Sequence, residues 1–115
     1  MAEVLLFIHD FKLGTAISDT LTRMDITVEF VENPTDWLGL LGAETRLVVI
    51  DLDDEKYLSH AIISLLKVRN PEIRIVGYLA HVMKETRDRM KSAGCDLIIS
   101  RSSLLKNIPS LVRNL

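Results

Sequence analysis

The stretch Leu47–Glu55, LVVIDLDDE, stays aliphatic for four residues and then turns abruptly acidic. Four aliphatic residues in a row, with no polar alternation, suit a strand covered on both faces. The carboxylates that follow belong to a solvated loop at the strand's carboxyl end, because acids do not bury without partners. Four more aliphatic runs flank it: Val4–Ile8 (VLLFI), Ile26–Val31 (ITVEFV), Ile73–Leu79 (IRIVGYL) and Leu97–Ile99 (LII). Among the five, ITVEFV alternates most and suits an edge strand.

Between these runs the apolar residues recur at helical spacing. Leu13, Ile17, Leu21 and Met24 share one face; so do Tyr57, Ala61, Ile62, Leu65 and Val68; so do Ile108, Leu111, Val112 and Leu115. Asn33-Pro34 reads as a cap followed by proline at the first helical position. Asn70-Pro71 stops the third helix, and Gly94 ends the fourth at a left-handed residue. The second helix, around Trp37–Leu41, is short and carries glycine. Pro109 kinks the last helix or delays its start to near Ile108.

Strand–helix alternation with hydrophobic strands predicts a parallel sheet between two helical layers. Five such units in 115 residues most economically give an α/β, flavodoxin-like, doubly wound (βα)5 three-layer sandwich with strand order 2-1-3-4-5. In this architecture a site lies at the carboxyl ends of the strands, beside the switch between the first and the third. The residues there are His9-Asp10 and Asp51.

Composition narrows the function. Apolar residues make up 48% and aromatic residues 5%, so the core is aliphatic, and the net charge of −2 comes with no basic stripe for nucleic acid. Cys95 is alone and cannot form an internal disulfide, which suits a reducing compartment. The apolar runs are too short to cross a membrane, and residues 1–8 lack the pattern of a signal peptide. These features imply one cytoplasmic globular domain over residues 1–115, without an output domain, acting in trans or excised from a longer chain.

Over essentially its whole length the chain resembles the receiver domain of two-component response regulators. His9-Asp10-Phe11 matches that family's acidic pair after the first strand, and Asp51 its phospho-acceptor after the third. Ala93-Gly94-Cys95-Asp96 resembles its Gly-Ala-Asp turn. Four positions depart: His9 replaces a carboxylate, Leu79 stands at the Ser/Thr position, Ile98 at the aromatic switch position, and Arg101-Ser102 at the Lys-Pro.

The resemblance implies a Mg²⁺ site built from Asp10, Asp51 and the carbonyl of Asp53. An imidazole at position 9 weakens it, because Mg²⁺ prefers oxygen ligands; the expected cofactor is none, or weakly bound Mg²⁺. Leu79 cannot donate a hydrogen bond to a phosphoryl group, and Ile98 has no ring to follow it. The usual switch is therefore expected to be frozen, since phosphorylation needs a two-state element to bias. Arg101 keeps a positive charge on a planar fork, and is expected either to pair with Asp51 or Asp10 or to point to solvent. The resemblance implies a partner signalling protein (a histidine kinase or an output protein) or a homodimer through the fourth helix, fifth strand and fifth helix.

These residues support a non-enzymatic pseudo-receiver, with a working response regulator phosphorylated on Asp51 as the alternative. Asp51-Leu52-Asp53-Asp54 is also similar to the DxDx[TV] nucleophile motif of haloacid-dehalogenase phosphatases, but Glu55 occupies the Thr/Val position and the motif lies mid-chain. A hydrolase would need Asp53 as its general acid–base. His9 and His81 with Asp10 and Asp51 form a conceivable transition-metal set, whereas His60 reads as a helix-surface residue. The fourth helix is densely charged, with Glu85–Arg89 a favourably oriented i,i+4 pair.

Overall fold

A computed structural model describes residues 2–115. The chain alternates β1 (Val4–Phe7), α1 (Phe11–Arg23), β2 (Val28–Phe30), α2 (Trp37–Leu40), β3 (Leu47–Asp51), α3 (Ser59–Arg69), β4 (Arg74–Leu79), α4 (Lys84–Ala93), β5 (Leu97–Ser100) and α5 (Arg101–Arg113). All strand pairs are parallel, in the order β2-β1-β3-β4-β5, with Val48 of β3 opposite Leu5 of β1 and Ile75 of β4. This is the doubly wound architecture expected from the alternation. β2 is an edge strand whose Glu29 and Phe30 are exposed.

Side chains alternate across the sheet and feed two cores. Leu5, Phe7, Val48, Ile50, Ile75 and Leu79 join Ile63, Leu66, Met90 and Ile98 on the face that α3 and α4 cover. Val4, Leu6, Val49, Val76 and Tyr78 join Ile17, Leu21, Leu104, Ile108 and Val112 on the face of α1 and α5. At the amino ends of the strands Lys67 ties α3 to the α4–β5 turn. Its Nζ donates to Asp96 Oδ2 at 2.8 Å and to the Ile73 carbonyl at 2.6 Å, while the Ile75 amide donates to the same Asp96 oxygen. Gly94 ends α4 with φ +124°, as expected, and a Cβ there would lie 2.7 Å from Lys67 Cγ.

Several helical expectations are corrected. The inner face of α3 is Ser59, Ile62, Ile63 and Leu66, whereas Ala61, Leu65 and Val68 face outward. Tyr57 is buried, but in a single 3-10 turn, Glu55–Tyr57, ahead of the helix. α3 is apolar nearly all round, so periodicity could not choose its buried side. α5 begins at Arg101 and runs through Pro109, because Leu104, Ile108 and Val112 hold one continuous face against the sheet. Leu111 is half-buried and Leu115 is exposed. Asn33 does not cap a helix. Its Oδ1 accepts from the Thr35 amide and hydroxyl in a turn, and α2 starts only at Trp37. On α4 the i,i+4 pair within reach is Lys84–Asp88, at 3.8 Å, rather than Glu85–Arg89.

Candidate functional site

The acidic loop after β3 is shaped by its neighbour strand. The Leu52 amide donates to the Tyr78 carbonyl at 2.9 Å, and the Leu52 side chain lies over Gly77 of β4, where a Cβ would come within 2.7 Å of it. Glycine thus lets the loop fold back across the sheet end. Asp51 Oδ1 accepts from the Asp53 amide at 2.9 Å, Asp53 Oδ2 accepts from the Ala80 amide at 2.8 Å, and Asp54 Oδ1 accepts from the Lys56 amide at 3.0 Å. Each carboxylate of the run is held by a backbone N–H.

Asp51 ends β3 and is half-buried. Burial raises its pKa, against the opposing Asp53 amide, with the nearby Asp53 and Asp54 charges adding to the rise. Tyr78 stands opposite it in the β3–β4 register. The Tyr78 hydroxyl is fully buried and makes no hydrogen bond. It is close enough to Asp51, Arg101 and Asp10 for all three charges to bear on its ionisation, although burial is the main reason its pKa is raised.

On one flank Asp10 does two jobs. Its Oδ1 accepts from the Leu13 amide at 3.0 Å, capping α1, and its Oδ2 accepts from the Arg101 guanidinium at the start of α5. The cap and the ion pair together lower the Asp10 pKa, and Asp10 raises that of Arg101. Of the expected arrangements for Arg101, the structure contains the pair with Asp10.

On the other flank His9 is held at both ring nitrogens. Nδ1 lies 2.6 Å from Asp54 Oδ2 and Nε2 lies 2.7 Å from the Glu32 carbonyl oxygen. A carbonyl and an ionised carboxylate both only accept, so this geometry demands a proton on each nitrogen, an imidazolium. The Glu32 bond first, and then Asp54, raise the His9 pKa. Burial pushes Asp54 up, but its bonds to His9 and to the Lys56 amide outweigh that, and its pKa is lowered. The His9 ring also stacks on Tyr57, centroids 4.4 Å apart, and the Tyr57 hydroxyl donates to the Val31 carbonyl at 2.9 Å.

Leu79 and Ile98, on neighbouring strands, are both buried in the core beneath α3 and α4. The donor and ring positions of the resemblance are therefore aliphatic packing. The residues named for a metal do not converge. Asp10 is engaged by Arg101 and His9 by Asp54, and among the described residues no three His, Cys, Asp or Glu side chains form a metal-binding group. As arranged, they do not fit a Mg²⁺ ion or a two-histidine transition-metal site. His81 and His60 are exposed. Cys95 is buried, its pKa pushed up to about 11 chiefly by that burial.

Three residues of the site were not singled out from sequence: Asp54, Tyr57 and Tyr78. Tyr78 carried a usable signal, a hydroxyl at the carboxyl end of a strand otherwise made of aliphatics and glycine. Asp54 and Tyr57 carried none, because their roles depend on where His9 lands.

No protein-family model matches the chain, and no curated protein matches it in sequence. Solved structures do. The BeF3-activated DrrB receiver domain is 18% identical, with a TM-score of 0.85 over 99% of this chain and 96% of that one. A response regulator from Thermotoga maritima is 20% identical, with a TM-score of 0.82 over 96% and 93%. A response regulator from Burkholderia pseudomallei, with a phosphorylated aspartic acid, a calcium ion and citrate, is 17% identical, with a TM-score of 0.77 over 99% and 72%. The chain has the fold of response-regulator receiver domains. None of its described helices is long and apolar enough to cross a membrane.

Proposed function

We propose that this chain is an atypical receiver: a non-enzymatic, cytoplasmic signalling module that works by binding a partner protein, without the ordinary switch at Asp51. The observation that carries the reading is the burial of Leu79 and Ile98 in one apolar core. A phosphoryl group on Asp51 would find no hydroxyl at position 79 to draw in and no ring at position 98 to follow it, so nothing couples the charge to the outer surface. The two flanking ion pairs support the same reading. Arg101 and His9 supply internal cations where the resemblance implies a lysine and a metal-holding carboxylate. The partner, a kinase or an output protein, meets the charged α4–β5–α5 face, where it gains more in specificity and encounter rate than in affinity.

Asp51 itself keeps a second reading open, that of a working response regulator. It is half-buried at the end of β3, and the structurally similar B. pseudomallei protein carries a phosphorylated aspartic acid. Incubation with a small phosphodonor, with and without Mg²⁺, followed by intact mass measurement separates the two. The expected spectrum is unchanged. A stable phosphoryl addition that disappears in Asp51→Asn overturns the atypical reading in favour of the second.

A further inference from the structure

The outer face of α3 carries Leu58, Ala61, Leu65 and Val68, all exposed: Leu58 is 69% exposed, Leu65 50% and Val68 78%. Leu58 also takes the left-handed conformation, φ 47° and ψ 52°, which non-glycine residues seldom adopt. α4 shows the ordinary arrangement, with Met90 its single buried residue and Lys84, Glu85, Arg87, Asp88, Arg89 and Lys91 in solvent. An apolar stripe along a helix about 16 Å long is what a helix presents to another helix, since positions three and four apart share a face.

We propose that this stripe is a self-association surface on which a second copy of the chain docks, α3 against α3, antiparallel about a two-fold axis. The spacing is the first reason. The four positions are separated by three, four and three residues, so the stripe reads the same in both directions. Reversal sets Leu58 against Val68 and, at the centre, the small Ala61 against the large Leu65, twice. An isologous interface needs this self-complementarity, in which residue i meets j and j meets i.

Charge is the second reason. Glu55 and Lys56 precede the stripe and Arg69 and Glu72 follow it; all are exposed and in no ion pair among the described residues. Antiparallel docking brings Glu55 towards Arg69 of the second copy and Lys56 towards Glu72, whereas a parallel pair would oppose like charges. The stripe alone is smaller than the roughly 800 Å² per partner of a standard stable interface, so the pairing is weak and concentration-dependent. It leaves the α4–β5–α5 face free, and so goes beyond the partner binding proposed above.

Sedimentation velocity from about 10 μM to about 1 mM tests it. The wild-type mass should climb from 13.0 kDa towards twice that value. Leu65→Glu should stay at the single-chain mass throughout, with circular dichroism and melting temperature unchanged, and the α4 variant Arg87→Glu should associate like wild type. Mixing Ala61→Cys chains with Leu65→Cys chains should give the mixed disulfide in excess over either homodisulfide. A wild-type chain monomeric at 1 mM, a dimer that survives Leu65→Glu, or Ala61→Cys chains that cross-link chiefly to themselves overturns the proposal.

Discussion

Two clasps flank Asp51, and they are built from different chemistry. Arg101 joins α5 to Asp10 at the start of α1; His9 joins β1 to Asp54 of the β3–α3 loop and to the β2 end at Glu32. The guanidinium is charged at any pH a folded protein meets, and the imidazole is not. The Arg101 clasp is thus permanent and borders solvent, while the His9 clasp is conditional and rests on an aromatic ring. The difference teaches that one half of the pocket's internal neutralisation follows pH and the other does not.

The largest effect separates the two jobs of Asp10. Asp10→Ala removes both the α1 cap and the partner of Arg101, and should lower stability by about 2 kcal/mol in urea unfolding. Arg101→Ala leaves the cap, removes only a solvent-screened pair, and should cost about 0.5–1 kcal/mol. Equal losses in the two variants would mean that the pair, not the cap, dominates, and the clasp would be tighter than its exposure implies.

A middle-sized effect belongs to His9. His9 titrates above its ordinary 6.5 when folded, so its contribution is complete below that pH and fades as pH rises through the elevated value. Asp54 titrates below its ordinary 3.8, so its share is present above that pH and lost as pH falls through the depressed value. The clasp is strongest between about pH 4 and 6.5. Melting temperatures across pH 4–9 at low salt should decline on the alkaline side, and His9→Gln should flatten that decline. Arg101→Ala should keep the same profile, shifted down. An alkaline limb unchanged in His9→Gln would remove the contrast between the clasps.

The smallest expected effect is that of Mg²⁺ on the wild type. With Asp10 and His9 already engaged, 10 mM MgCl₂ should move the melting temperature by less than about 1 °C, since a weakly bound ligand stabilises only by mass action. Restoring an acidic pair and releasing the arginine fork, in His9→Asp combined with Arg101→Lys, should produce a clear Mg²⁺-dependent rise. A rise already present in wild type would show that the ion competes successfully with both clasps.

Much of this was readable along the chain. The LVVI and VLLFI runs announced buried parallel strands, and ITVEFV announced the edge. The break at Asn70-Pro71 and the left-handed Gly94 are both found. The candidate site was readable as a set of positions, because the ends of the first and third strands must meet at a topological switch. What side chains do there was not. His9 looked like a lost metal ligand and is an imidazolium bridge; Tyr78 looked like strand packing and places a bare hydroxyl near Asp51. Pro109 looked like a boundary and lies within α5, because a long apolar face outweighed one missing N–H.

Local pattern alone determined the sheet, its order and the place where acidic residues gather, since strand burial and helix punctuation are written in runs of neighbouring residues. The third dimension decided which face of α3 turns inward, which carboxylate takes Arg101, and that His9 is gripped from two sides. Those outcomes join residues from 22 to 91 positions apart, from Glu32 to Asp54 and from Asp10 to Arg101, and no periodicity along the chain encodes such pairings.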